Sequence, residues 1–150
     1  MSVRTFLVPL RALLQAEEPS NEAIKRALKS FSCIIDDDVA LFLSQYSIAN
    51  EKSGSCRTYL VLNADRLQEC NELDIVAFFT LAITATDYSA VSIENRKSIL
   101  GNIRGINKNT YFPGYLLAQL ARNDAYTHDD FDCVLLVAEA EKRFVPLLKS

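Results

Sequence analysis

What the chain lacks narrows its class first. Its longest apolar runs, Ile75–Ile83 and Cys133–Ala138, fall far short of the ~20 residues that a membrane-crossing helix needs. The N-terminal stretch MSVRTFLVPLRALLQ has no small-residue cleavage site behind its apolar part, so no secretion signal is read there and no membrane partner is expected. A CxxC pair is missing and there is one histidine, His128, so zinc-ligand spacing is absent and no metal site is expected. The cysteines Cys33, Cys56, Cys70 and Cys133 are scattered, which fits reduced, packed thiols in a cytoplasmic protein. Positive charge is in deficit: 16 Lys and Arg against 19 Asp and Glu leave a net −3, so contact with nucleic acid would require a local basic patch. Internal repeats, low-complexity tracts and linkers are also missing.

What is present fits one domain over residues 1–150, able to bury roughly two-thirds of its unfolded surface. Ser20 is placed to cap a helix with Ile24, Ala27, Leu28 and Phe31 on one face. The Asp36–Asp38 run suits the positive end of a second helix better than a metal site. Val39, Phe42, Leu43, Tyr46 and Ala49 share a face of that helix, with NEKSGS as the following turn and Gly54 as its stop. Arg57–Leu62 reads as a strand closed by Asn63-Ala-Asp65. Asp74–Thr84 is almost continuously apolar, as expected of a central strand covered on both faces. A short helix over Val91–Leu100 lies between Ser92 as cap and Gly101 as stop, and 101–109 is a polar loop. Tyr111–Ala121 reads as another buried strand, with Pro113 and Gly114 marking a bulge or an edge at its start. Asp129 or Asp130 caps a last helix to about Phe144. Phe131, Val134, Leu135, Val137, Ala138 and Ala140 give it a wide apolar face to bury on a sheet. The fold class is α/β, a mixed central sheet flanked by helices.

Three stretches carry a family resemblance in order. The first is Phe31-Ser-Cys33, then Asp38–Leu43, then Asn50-Glu-Lys-Ser-Gly-Ser-Cys-Arg-Thr-Tyr-Leu-Val61. The second is Ile75-Val-Ala-Phe-Phe-Thr-Leu-Ala82, and the third Pro113-Gly-Tyr-Leu-Leu-Ala-Gln-Leu-Ala-Arg-Asn123. Over about residues 30–145 the chain resembles the GNAT superfamily of N-acetyltransferases, in particular the branch that contains tRNA-acetylating toxins. The resemblance implies acetyl-CoA as cofactor and an amine as acceptor: a small molecule, a protein or an aminoacyl-tRNA. It implies that Leu117, Ala118, Gln119, Leu120 and Ala121 present backbone groups to the pantetheine arm, with Arg122 and Asn123 approaching the cofactor. The next loop, opening a helix, would wrap the diphosphate.

Two departures stand out against that pattern. The family's glycine-bearing phosphate loop is replaced by Thr127-His-Asp-Asp-Phe-Asp132, with three aspartates and no glycine. An ordinary acidic helix cap and a degenerate phosphate loop are both open readings of it. The family also has a further strand, helix and closing strand, so relative to it this fold is incomplete at the C-terminus. Either the chain is a truncated or minimal version of the fold, or a second copy or a protein partner completes the missing wall. Among individual residues, Tyr126 is a candidate acid, or packs. His128 is a candidate base or phosphate contact, or is idle in solvent. Arg57 is a candidate substrate contact, or an edge arginine with a surface partner. Ser55 has no histidine in triad relation and is not a nucleophile. Lys25, Arg26 and Lys29, with Arg96, Lys97, Arg104 and Lys108, form the basic groups, which suit either an RNA backbone or solvated helix faces. The leading reading is an acetyl-CoA-dependent N-acetyltransferase. Its rival is a non-catalytic binding module on the same fold.

Overall fold

Two elements that periodicity does not signal come first in the computed structural model, which describes residues 2–101 and 103–148. Asn102, inside the expected polar loop, lies outside the described residues. Strand β1 (Thr5–Pro9) runs straight into helix α1 (Leu10–Gln15), whose six residues are too few to display a 3.6-residue period. Helix α2 (Asn21–Ser30) follows as expected. The Ser20 hydroxyl accepts from the Ala23 amide, and Ile24, Ala27 and Leu28 are buried. Phe31, just beyond its end, is buried too, and its ring meets Phe78 edge-on at 5.1 Å.

The next helix departs from expectation at one turn. Helix α3 (Asp37–Leu41) is capped by Asp36, which accepts from Asp38 N. A wide π-type turn over Phe42–Tyr46 then leads into helix α4 (Ser47–Ser53), which ends at Gly54 with φ +78°. The wide turn inserts the equivalent of one residue, so the stripe that begins with Val39 and Leu43 continues through Ser47 and Glu51. Tyr46 and Ala49 are therefore exposed rather than on the buried face. It also carries the helix to Ser53, through most of the expected NEKSGS turn.

Strand β2 (Cys56–Asn63) pairs antiparallel with β1 on one side and with β3 (Ile75–Asp87) on the other. Between them lies helix α5 (Ala64–Cys70), where a simple strand end was expected. It buries no residue, so no apolar stripe announces it; Asn63 caps it by accepting from Arg66 N. Ile75 through Leu81 are all buried, as a covered central strand requires, but Ile83 is 72 % exposed, so the expected Asp74–Thr84 run is covered only as far as Leu81. Between Val61 and Leu62 the register slips, with Val61 opposite Ala77 and Leu62 opposite Ile75. This bulge turns Val76 and Ala77 to the same face.

The sheet order is β1-β2-β3-β4, with β4 (Tyr111–Arg122) on its margin. On one face Leu60, Leu62, Ile75 and Phe78 pack under α1, α2 and α3 through Leu10, Ile24, Leu28 and Val39. On the other, Val61, Val76, Ala77 and Phe79 meet Phe131, Leu136 and Ala140 of the C-terminal segment and helix α7 (Val134–Leu148). Two expectations fail there. Strand β4 is not buried: Leu116 is 49 % exposed, and most of the strand is only half covered because β3 flanks it on one side alone. Helix α7 starts at Val134, later than Asp129 or Asp130 would place it. Up to Arg143 its buried stripe is narrow, Leu136 and Ala140, while Val134, Leu135, Val137 and Ala138 face outward.

The chain forms two compact units: residues up to Ala82 with those from Leu117 onward, and Ile83–Leu116. The second holds helix α6 (Ile93–Leu100), capped by Ser92 as expected, and an edge-on Tyr88–Phe112 ring pair at 5.7 Å. No helix among the described residues is long and apolar enough to cross a membrane.

Candidate active-site cleft

A cleft of about 670 Å³ opens at the C-terminal end of β4 in the first unit. One wall is Leu120 to Asp124, the end of β4 and its exit. Tyr126, Thr127, His128 and Cys133 also line it, and a further lip is formed by Cys33, Ile35, Asp36 and Val39. The lip is tied down by Asp124, whose Oδ2 accepts from Ile34 N at 2.7 Å and from Ser32 Oγ at 3.3 Å, while Asp124 N donates to Ser32 O at 2.9 Å. In this segment Ile34 and Ile35 are 84 % and 96 % exposed.

Of the seven residues expected to meet a cofactor, four line the cleft: Leu120, Ala121, Arg122 and Asn123. Leu117 and Leu120 pack their side chains against the α7 face of the sheet, and Ala118 points to solvent. Arg122 Nη1 donates to Phe131 O at 3.2 Å. Asn123 is 5 % exposed and does structural work. Its amide nitrogen Nδ2 donates to Ile75 O at 2.9 Å, its backbone N donates to Val76 O at 2.8 Å, and its Oδ1 accepts from Ala125 N. It latches the end of β4 onto the bulge of β3.

Tyr126 sits between two partners. Its hydroxyl donates to Asp74 Oδ2 and accepts from Asn63 Nδ2 at 2.9 Å. Burial, and then the bond to Asp74, push the phenol pKa above its ordinary value, so the proton stays on the oxygen and is already engaged. His128 is open to solvent at the cleft, with Nδ1 3.8 Å from Asp132 Oδ1. Arg57 is not at the cleft. Its Nη1 donates to Glu51 O at 3.2 Å and to Glu51 Oε2 at 3.4 Å, neutralising a carboxylate whose side chain is 2 % exposed and whose other oxygen has no partner among the described residues.

The acidic loop is organised from within. Asp130 Oδ2 accepts from Thr127 N at 2.8 Å and from Thr127 Oγ1 at 3.1 Å. The Thr127 amide holds the Asp130 carboxyl below its usual pKa. Asp132 Oδ1 accepts from Val134 N, and the next two amides, Leu135 and Leu136, donate to Asp132 O and Cys133 O. The amides at this helix start are therefore satisfied by the chain's own oxygens. Among the described residues no group of His, Cys, Asp and Glu could hold a metal ion. The Cys133 thiol, half-buried at the cleft, has its pKa raised by burial.

Sequence reasoning missed the further lip. Cys33 lay inside a quoted motif, but Ile34 and Ile35, two apolar residues directly before an acidic run, were the signal of an exposed apolar edge there.

No protein-family model matches the chain, and no curated protein matches it in sequence. Solved structures do match in fold. A tyrosine-to-phenylalanine mutant of KacT superposes with TM-score 0.70 at 14 % identity, covering 98 % of this chain and 72 % of that one. AtaT complexed with acetyl-methionyl-tRNAfMet gives 0.64 at 16 %, covering 97 % and 72 %. An AtaT mutant toxin bound to the C-terminus of the antitoxin AtaR and acetyl-CoA gives 0.58 at 15 %, covering 91 % of this chain and 62 % of that one. The chain thus spans between 62 % and 72 % of these neighbours' lengths. At such identities the likeness shows the fold, a GNAT-like sheet with flanking helices.

Proposed function

We propose that this chain, folded as the AtaT and KacT toxins are, is an N-acyltransferase that takes an acetyl group from acetyl-CoA to an amine, with residues 1–150 as one domain of that type. The observation that carries it is the cleft at the end of β4, which gathers Leu120, Ala121, Arg122, Tyr126 and His128 in the fold of a protein solved with acetyl-CoA bound. The residues fit the pantetheine arm: β4 is a marginal strand, and such a strand has backbone N–H and C=O groups to offer an extended amide-bearing ligand. Arg122 adds a positive charge beside it. The diphosphate fits only when Asp130 or Asp132 releases its backbone amide, because the chain now fills those donors itself.

The cofactor supplies an activated thioester carbonyl. The chain's part is to align the arm on β4 and to take the amine's proton at His128, which lies 3.8 Å from Asp132 and returns the proton to the departing thiolate. Tyr126 holds the loop through Asn63 and Asp74 rather than giving up its proton. The acceptor is a small amine, a protein amine or an aminoacyl-tRNA. The test is transfer of labelled acetyl from acetyl-CoA to a panel of these three classes. Labelled product that falls at least tenfold in a His128→Asn variant, at unchanged acetyl-CoA affinity, supports the reading; no product from folded protein with any class sinks it.

A second reading is a binding module on the same fold that no longer catalyses. The self-satisfied amides of Thr127 and Val134 favour it, and folded protein that binds no acetyl-CoA would establish it over the first.

A further inference from the structure

Charge is unevenly distributed along this acidic chain. Ile83–Leu116, the second compact unit, holds four of the 16 Lys and Arg and two of the 19 Asp and Glu, a balance of +2. The other 12 cations stand against 17 acids, a balance of −5. Within the unit, Lys97, Arg104 and Lys108 are exposed and line one cleft of about 680 Å³ with Asn107 and Asn109. Among the described residues no carboxylate lies within ion-pair distance of any of the three. Of the unit's two acids, Asp87 accepts from Ser89 N at 2.8 Å, and Glu94 sits in the first turn of α6.

A buried cation builds the cleft. Arg96 is 7 % exposed, and among the described residues it too has no carboxylate within ion-pair distance. Its Nε donates to Val91 O at 2.9 Å, and its Nη1 to Asn109 O at 3.0 Å and to Ile106 O at 3.4 Å. These carbonyls engage its donors without cancelling its charge. One guanidinium therefore joins the start of α6 to two points of the loop that carries Arg104 and Lys108. That loop turns at Gly105, φ +82°, whose carbonyl accepts from the Lys108 and Asn109 amides; a Cβ there would lie 2.6 Å from Asn109 Nδ2. The positive charge is thus held in place before a ligand arrives, which lowers the ordering cost of binding one.

We propose that this cleft binds a small, multiply charged phosphate, the di- or triphosphate group of a free small molecule, on Lys97, Arg104 and Lys108. Its lining is Lys97 and the run 103–109 alone, so the site is one loop wide and suits a compact anion that meets all three cations at once. The guanidinium of Arg104 matches two phosphate oxygens, the two lysines act as point charges, and the asparagine amides donate to the remaining oxygens. A longer polyanion gains nothing from the rest of the chain, whose balance is −5. A single weakly charged anion would leave most of the three cations without a partner. The inference stands apart from acyl transfer.

The experiment is isothermal titration of the full chain with inorganic triphosphate and, separately, with ATP, both in magnesium-free buffer. Raising the salt from about 50 to about 300 mM should weaken wild-type binding by about tenfold, because exposed charges are screened. A Lys97→Gln/Arg104→Gln/Lys108→Gln variant, folded by circular dichroism, should bind triphosphate about tenfold or more weakly. A Lys25→Gln/Lys29→Gln variant, which loses exposed cations of α2, should change by less than about threefold. Triphosphate that binds as tightly as ATP identifies a phosphate-only ligand, and tighter ATP identifies a nucleotide; either result supports the proposal. No binding of either ligand at the lower salt, or equal losses in the two variants, would overturn it. So would a single-stranded RNA that binds through the same three residues more tightly than ATP. Acetyl-CoA affinity should be the same in all chains, which separates this outcome from that of the acyltransferase reading.

Discussion

Replacing Asn123 by alanine decides whether this residue serves the cofactor or the fold. In the structure its side chain donates to Ile75 O and accepts from Ala125 N while almost wholly buried. Removing the amide deletes two hydrogen bonds, each worth about 0.5–1.5 kcal/mol, and strands the Ile75 carbonyl, which adds about 1–3 kcal/mol when no water reaches it. Some of this overlaps, so the expected loss is about 2–4 kcal/mol. With a urea slope of about 2 kcal/mol/M for a domain of this size, the unfolding midpoint should fall by about 1–2 M. Urea titration followed by circular dichroism measures it, beside acetyl-CoA affinity at 10 °C, where the variant stays folded. A loss below about 1 kcal/mol together with tenfold weaker acetyl-CoA binding would refute the reasoning, because the amide would then face the ligand.

Other consequences follow from the same geometry. Leu136→Ala empties the α7 side of the core and should cost about 2–5 kcal/mol; a urea midpoint shift under 0.3 M (about 0.6 kcal/mol at the slope above) would mean that α7 is not seated on the sheet. Arg57→Ala leaves the Glu51 carboxylate buried without its partner. Because Arg57 itself is 41 % exposed, the expected loss is about 1–3 kcal/mol, and adding Glu51→Gln should recover part of it; no recovery would deny the pair. Asp130 titrates below 3.8, its ordinary value, so its hold on Thr127 is complete above that pH and is lost as pH falls through its lowered folded value. Carbon-13 NMR of its carboxyl should show that midpoint below 3.8, and in Asp130→Asn the Thr127 amide shift should no longer titrate there.

The readable parts of the fold are those where one side chain states a local rule. Ser20 and Ser92 cap the helices assigned to them, Gly54 ends its helix in the left-handed region, and the unbroken Ile75–Leu81 run is buried on both faces. What escaped lacked a period to read. Helix α5 buries nothing, and α1 is six residues long. The π-type turn shifts Tyr46 and Ala49 off their face because nothing in FLSQY encodes one extra residue per turn. Along α7, the apolar residues Val134, Leu135 and Val137 match a buried face but lie outside it, since the unbroken apolar run Val134–Ala138 marks no single side to meet the sheet. At the cleft, Leu120 to Asn123, Tyr126 and His128 were legible through the family pattern. The roles of Asn123 and Tyr126 were not, because they rest on partners as distant in sequence as Ile75, Asn63 and Asp74.

The central claim is that the β4 cleft seats acetyl-CoA and that Asp130 and Asp132 hold the amides its diphosphate would use. Isothermal titration of acetyl-CoA into the wild-type chain and into an Asp130→Gly/Asp132→Gly variant tests both halves at once. The expected result is binding by the wild type and several-fold tighter binding by the variant, where the amides are released and two carboxylates no longer repel the phosphates. Silence from both folded chains would contradict it.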